Sequence, residues 1–202
     1  MFHVKHSILE RLSCICRNQI PYILLHSKGN IVVTFNEDNF SIGRLAKHSE
    51  DCKAIYNSLG VCDISPYGFK DPTRDIPFLA EAYSAATGIR ISPRELKKSG
   101  ERIWNLNRVI NAREGFSRED DRWPTQWVQN TETPIPLRSG PSYLQDWFGN
   151  RVSRQDLVKI LDDYYDERDW DIKVGVPTKK KLMELELEEF ASIVEPLLSG
   201  ER

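Results

Sequence analysis

Cys62 is the residue best placed for chemistry, because of the run it closes: Asn57-Ser58-Leu59-Gly60-Val61-Cys62-Asp63. Upstream, Leu45, Cys52, Ile55, Tyr56 and Leu59 recur at intervals of three, four and seven. That periodicity predicts an amphipathic helix from about Leu45 to Ser58. Gly60 ends it, since glycine readily takes the left-handed conformation that turns a chain off a helix C-terminus. Cys62 and the amides around it would then be presented to whatever lies across the turn. The competing expectation is a cysteine buried behind a capped helix, because unpaired cysteine is among the most buried residue types.

Other candidate constellations carry less. Cys14 and Cys16 form a C-x-C pair with His3 and His6 upstream, but the spacing matches no familiar structural zinc site. Asp120-Asp121 could serve acid-base chemistry or a divalent cation. Flanked by Arg118 and Arg122, they read instead as ion-paired loop formers. Lys179-Lys180-Lys181 reads as a solvated helix start, and Tyr164-Tyr165 with Trp170 as core packing. The histidines are His3, His6, His26 and His48, so no imidazole is available as a base or ligand in the C-terminal two-thirds. No G-x-S-x-G, P-loop or G-x-G-x-x-G occurs.

Composition narrows the classes further. With 28 basic and 30 acidic side chains and a net charge of -2 over 202 residues, there is no basic field to attract nucleic acid. Four cysteines without an even framework, and no signal peptide, point to a reducing cytoplasm. Apolar runs such as Ile23-Leu24-Leu25 fall far short of the roughly 20 residues a membrane helix needs, so a soluble chain is expected.

The elements that would position Cys62 follow in order. A short helix carrying Ile8, Leu12 and Ile15 is followed by a hairpin, Tyr22-Leu25 against Ile31-Phe35, turning at Ser27-Lys28-Gly29-Asn30. Asn36 to Gly43 and Ser65 to Pro72 read as loops. Ile76, Leu79, Ala82, Tyr83 and Ala86 mark a helix ended by Thr87-Gly88. Ser92-Pro93-Arg94-Glu95 is a capping box that opens a helix of about 20 residues through Arg113. Its apolar face is expected at Leu96, Ile103, Leu106 and Ile110, and it would be the central strut. Proline and glycine through the thirty residues after Pro124 predict an extended, irregular surface crossing. Ser153 then caps a helix with Asp156 at its third position and Val152 and Leu157 as a staple, burying Leu157, Ile160, Leu161, Tyr164 and Tyr165. Thr178 caps a short helix through Leu182, and Phe190, Ile193, Val194, Leu197 and Leu198 mark the last. The fold class expected is mainly α, an irregular multi-helix domain with a small N-terminal β-hairpin.

Several runs together resemble a known family. Asn57 to Cys62, Ala85-Ala86-Thr87-Gly88, Gly100-Glu101-Arg102-Ile103-Trp104-Asn105-Leu106-Asn107-Arg108, Asn111 to Asp121, Leu161-Asp162-Asp163-Tyr164-Tyr165 and Gly175-Val176-Pro177-Thr178 stand in an order and spacing similar to the C-terminal domain of the tungsten-containing aldehyde ferredoxin oxidoreductases. The resemblance covers about residues 45 to 190. It divides the chain into an unassigned segment, 1–44, with the hairpin, and a helical domain, 45–202.

The resemblance implies a function and a site. Members oxidise aldehydes to carboxylic acids at a tungsten bis-pterin cofactor and pass electrons through a [4Fe-4S] cluster to ferredoxin. Carried over, Cys62 would be the one cluster ligand from this chain, and Asn57, Gly60, Val61 and Cys62 would line a pterin. Asn57 stands where the family has aspartate, so a carboxylate acceptor becomes an amide with fewer acceptor sites. Asp169 and Glu186 stand where the family has glycine, at a cost of about 1 kcal/mol or more wherever φ is positive. The cluster's other cysteines, spaced C-x-x-C-x-x-x-C, the first pterin motif and the groups beside the metal are expected from an N-terminal half on another chain, without which this chain should not turn over. The alternatives are a non-catalytic helical remnant or interaction domain of the same family, and a metal site in which Cys14, Cys16 and Cys52 join Cys62.

Overall fold

Ser41 opens the first long helix in the computed structural model, which describes residues 24–27, 30–33, 41–62, 72–137, 140–146 and 150–200. Before it, β1 (Leu24–Ser27) and β2 (Asn30–Val33) pair antiparallel with Leu24 opposite Val33 and Ser27 opposite Asn30, the hairpin expected from the two β-branched runs. The N-terminal helix with Ile8 and Leu12, the Cys14-x-Cys16 pair, His3 and His6 lie outside the described residues.

Helix α1 (Ile42–Leu59) is capped by the Ser41 hydroxyl, which accepts from the Arg44 amide at 2.9 Å and donates to Asp163 at 2.7 Å. Leu45, Cys52, Ile55 and Tyr56 are buried as the period predicts. Helix α2 spans Pro72–Thr87 and α3 spans Pro93–Arg113, the latter behind the predicted Ser92/Glu95 capping box. Gly100 sits inside α3 because α1 crosses there: a Cβ on it would lie 2.4 Å from the Asp51 carbonyl oxygen.

Helix α4 (Thr125–Asn130) and a second hairpin, β3 (Ile135–Leu137) with β4 (Gly140–Ser142), occupy the stretch expected to be irregular. The prolines there do not interrupt pairing, because Pro136 and Pro141 face each other in a short two-stranded ribbon. Helix α5 (Arg154–Glu167) carries the Ser153/Asp156 capping box over a buried Val152 and Leu157. Helices α6 (Lys179–Glu184), capped by Thr178, and α7 (Ala191–Ser199) complete the chain. The protein is mainly helical, as expected.

Three core clusters meet along α3. Leu96 joins Cys52, Ile55, Tyr56, Ile76, Leu79 and Ala80 between α1 and α2. Val109 and Ala112 pack with Val176, Leu182, Leu185 and Val194. Trp104 borders Leu45, Ala46, Leu161, Tyr164, Tyr165 and Trp170. The strut is therefore central, and its inner side holds Leu96 buried and Leu106 half-buried as the apolar residues suggested, but it departs from that stripe toward the C-terminal end. Ile110 is 41 % exposed while Asn105 and Arg108 are buried, because both polar side chains find partners inside. The Asn105 amide oxygen accepts from the Trp170 indole at 2.7 Å, and Arg108 donates to the Gly175 carbonyl at 2.6 Å.

Candidate cofactor-facing turn

Leu59 is the last helical residue of α1, and the next three residues turn away in a Schellman arrangement. Gly60 has φ of 68°, its N–H donates to the Asn57 carbonyl at 3.3 Å, and the Val61 N–H donates to the Tyr56 carbonyl at 2.9 Å. Both bonds satisfy carbonyls that the helix end would otherwise leave bare. Leu59 and Val61 pack half-buried on the cluster containing Tyr56, which fixes the exit angle. Cys62 emerges exposed, as do Asn57 and Gly60, and a Cβ placed on Gly60 would meet nothing within 4 Å. The buried-cysteine expectation fails for Cys62 and holds for its neighbour. Cys52 is buried in the core, its Sγ 3.6 Å from His48 Nε2, and neither cysteine forms a disulfide.

The middle of α1, upstream of this turn, is held by a buried polar network. Arg168, after the end of α5, is wholly buried with its guanidinium between two consecutive α1 carboxylates, 2.7 Å from Asp51 and 2.7 Å from Glu50. Tyr164 donates to Glu50 at 2.7 Å and accepts from the Trp104 indole at 2.9 Å, so α1, α3 and α5 share one buried network. Burial pushes the Glu50 carboxyl up, and the partial compensation by Arg168 and Tyr164 does not cancel it. Burial acts the same way on Asp51, but Arg168 and Lys47 together outweigh it and hold that carboxyl below the usual range. Lys47 continues outward to Glu101 at 3.0 Å. Glu101 in turn meets Lys181 at 3.2 Å, and Lys181 also reaches Asp169 at 3.0 Å and Glu184 at 2.9 Å.

Two expectations need correcting on this network. Lys181 is only 4 % exposed, so the lysine run is not a uniformly solvated face; three carboxylates raise its ammonium pKa against the opposing effect of burial. Asp121 pairs not with its sequence neighbours but with Arg108 through two bonds, 3.1 and 2.6 Å, and accepts from the Tyr165 hydroxyl. Asp120 instead caps its own turn, accepting from the Ser117 amide at 3.0 Å. These carboxylates are structural. Sequence reading missed Glu50, Asp51 and Arg168 altogether, although an acidic pair on the buried stripe of a helix signals a buried cation partner.

No group of three or more histidine, cysteine, aspartate or glutamate side chains among the described residues could hold a metal ion. The turn fits a narrower contribution. An exposed thiol beyond a left-handed glycine with open space around it can give one thiolate, and close backbone approach, to a cofactor held mainly by other residues. No helix among the described residues is long and apolar enough to cross a membrane.

Residues 18–187 match the family model described as aldehyde ferredoxin oxidoreductase, domains 2 and 3. The tungsten-containing aldehyde ferredoxin oxidoreductase of Pyrococcus furiosus is 30 % identical over 143 residues, covering 70 % of this chain and 20 % of that protein. The same-named protein of Thermococcus kodakarensis is 28 % identical over 143 residues with the same coverage. The chain thus spans about a fifth of the length of these curated relatives. Among solved structures, the active-site complex BamBC of benzoyl coenzyme A reductase, in complex with 1,5-dienoyl-CoA, superposes with a TM-score of 0.59 at 21 % identity. It covers 100 % of this chain and 29 % of that one, a likeness of fold. On the family match and these relatives, the chain belongs to the aldehyde ferredoxin oxidoreductase family, in the part described as its domains 2 and 3.

Proposed function

We propose that this chain forms one wall of the cofactor site of an aldehyde-oxidising, ferredoxin-linked oxidoreductase, its remaining walls supplied by polypeptide outside these 202 residues. The observation that carries the reading is the exposed Cys62 thiol on the Gly60 turn, aimed away from its own core. In this role Cys62 is a single thiolate ligand to a [4Fe-4S] cluster. Gly60 and Val61 bring backbone against a pterin, and the Asn57 amide offers it one carbonyl acceptor and two N–H donors where a carboxylate would offer acceptors alone. When bound, the tungsten bis-pterin supplies the two-electron oxidation of the aldehyde to a carboxylic acid, and the cluster the path to ferredoxin. The residues of this chain hold and orient. The helical part, 45–202, is the unit that does so, with 1–44 a separate segment, and the assembly works in the cytoplasm.

Iron, tungsten and zinc content, with a visible spectrum, on protein purified anaerobically from its source cells tests the reading. Iron and tungsten with broad iron-sulfur absorption are the expected result. A colourless, metal-free, folded protein would make it a non-catalytic helical member of the family, a reading that the neutral Asn57 favours.

A further inference from the structure

Lys97 stands one turn before Glu101 on α3, the spacing at which a lysine ordinarily pairs with a glutamate on the same helix face. Here it does not, because the partner is taken. Glu101 Oε1 receives Lys47 at 3.0 Å and Lys181 at 3.2 Å. Asp51, the other carboxylate near enough to act on Lys97, is held by Arg168 at 2.7 Å and by Lys47 at 3.0 Å. Among the described residues the Lys97 ammonium has no hydrogen bond and no ion pair. The residue is nonetheless half-buried, one position after the buried Leu96 and three before Gly100, where α1 crosses.

The titratable groups acting on it are Cys52, Lys47 and Asp51 of α1 and Glu101 of α3. Burial holds the ammonium pKa below the ordinary lysine range. Cys52 opposes this only as a thiolate, Lys47 adds its like charge, and Asp51 and Glu101 oppose it with charge already shared among other cations. A desolvated lysine near a second cation is the arrangement that keeps an amine neutral and nucleophilic. Lys98, Lys159, Lys179 and Lys181 differ, since each meets a carboxylate. Lys173 and Lys180 differ in being exposed to water.

We propose that Lys97 is a covalent capture site for small uncharged aldehydes, which its amine holds reversibly as a Schiff base. The nitrogen lone pair adds to the carbonyl carbon, and the carbinolamine then loses its oxygen as water together with the two amine hydrogens. A C=N bond replaces the C=O bond, with no net oxidation or reduction. The neutral imine suits the position, because condensation removes a charged donor that has no acceptor there. An aldehyde bearing its own charge would bring a new unpaired ion into half-buried surroundings, which selects the uncharged class. No cofactor takes part, so the inference stands apart from the role assigned to Cys62.

The test treats the purified full chain at neutral pH with butyraldehyde and cyanoborohydride, which reduces each imine to a stable secondary amine, and follows every lysine by peptide mass spectrometry. Lys97 should be alkylated at least about fivefold faster than Lys173 and Lys180, a lowering of one pKa unit being worth about tenfold in free amine. Its rate should also level off at a lower pH than theirs. Lys97→Arg should remove that adduct and leave the others. Lys47→Met takes away a like charge and frees Glu101 for Lys97, so it should cut the preference at least about threefold. Labelling of Lys97 no faster than that of Lys180 overturns the inference, as does a pH profile matching that of Lys180. A preference that Lys47→Met leaves undiminished overturns it as well, since the unpaired charge would then not be its source.

Discussion

Arg168 and Asp51, 117 residues apart, meet at 2.7 Å with both side chains fully buried, and this pair ties the end of α5 to the middle of α1. Removing one partner from such a pair leaves an uncompensated charge in the interior, a larger cost than the net worth of the pair. Arg168→Met should therefore lower the unfolding free energy by about 3–5 kcal/mol, read from the urea midpoint. Asp51→Leu combined with Arg168→Met should cost less than the sum of the two single changes, because no lone charge at that contact remains. Additive losses would mean that the pair is not coupled.

Glu50 shares the same guanidinium but sits on the other side of the balance. Facing it are Arg168, Tyr164 and the like-charged Asp51, and its carboxyl titrates above the ordinary range in the fold. Below the ordinary glutamate range both folded and unfolded states hold the proton, so Glu50 contributes no pH dependence there. As pH rises from that range toward the raised folded value, the unfolded chain releases the proton first and stability falls, at up to about 1.4 kcal/mol per pH unit. Glu50→Gln keeps the neutral form at every pH. The variant should gain on the parent as pH rises above the ordinary glutamate range in chemical denaturation, whatever its absolute stability. A flat difference would mean that Glu50 is ionised throughout. Asp51 is the opposite case: its lowered folded pKa gives stability above the ordinary range that is lost as pH falls through the folded value, so Asp51→Asn should flatten the acid limb.

Two glycines should respond differently to the same methyl group. At Gly100 a Cβ would lie 2.4 Å from the Asp51 carbonyl oxygen and 2.8 Å from Ile55 Cγ1, so the helices must part. Gly100→Ala should cost at least the 1–3 kcal/mol typical of overpacking. At Gly60 there is open space, and only the left-handed backbone objects, so Gly60→Ala should cost about 1 kcal/mol. Equal losses in thermal unfolding at the two positions would contradict the helix crossing.

Local signals account for what was legible in the sequence. The caps at Ser92 and Ser153, the stops at Gly60 and Gly88 and the stripe of α1 are each set by residues within a few positions of one another, and all are present. The exposure of Cys62 was legible too, once Gly60 was read as a left-handed turn. What escaped depends on partners far away in the chain. Lys181 is buried only because Glu101, 80 residues earlier, and Asp169 surround its ammonium. Asp121 looks inward because Arg108 reaches it across the C-terminal half of α3, and no spacing rule ties those two positions. The inner face of α3 was read only in part for the same reason: Leu96 and Leu106 lie on it as expected, but Asn105 and Arg108 count as surface residues until Trp170 and Gly175 are placed opposite them.

Asp169 and Glu186 both hold positive φ, 52° and 58°, at the two positions where the resemblance implies glycine. Each side chain gains an ion pair that glycine could not make: Asp169 with Lys181 at 3.0 Å, and Glu186 with Lys98 at 2.9 Å and Arg102 at 3.4 Å. The Glu186 pairs are at the surface, where they offset little backbone strain. Glu186→Gly should therefore raise the thermal midpoint. Asp169→Gly should change it less, since it removes one of three carboxylates around a buried ammonium. A fall for Glu186→Gly that disappears in high salt would show that its ion pairs outweigh the strain.

Cys62→Ser separates the two roles a cysteine can have here. The thiol is exposed and bonded to no other sulfur, so exchanging sulfur for oxygen touches no core packing, and the thermal midpoint of the chain should stay within about 1 °C of the parent for a change of a few tenths of a kcal/mol. A hydroxyl is a poor ligand for iron in place of a soft thiolate. In protein purified anaerobically with its cofactors, the same change should remove most of the iron-sulfur absorption while the folded chain survives. A marked loss of thermal stability in the chain alone would place the sulfur inside the core after all. An unchanged midpoint with undiminished cluster absorption would show that some other group holds that iron, and Cys62 would then be only the residue that happens to follow the turn.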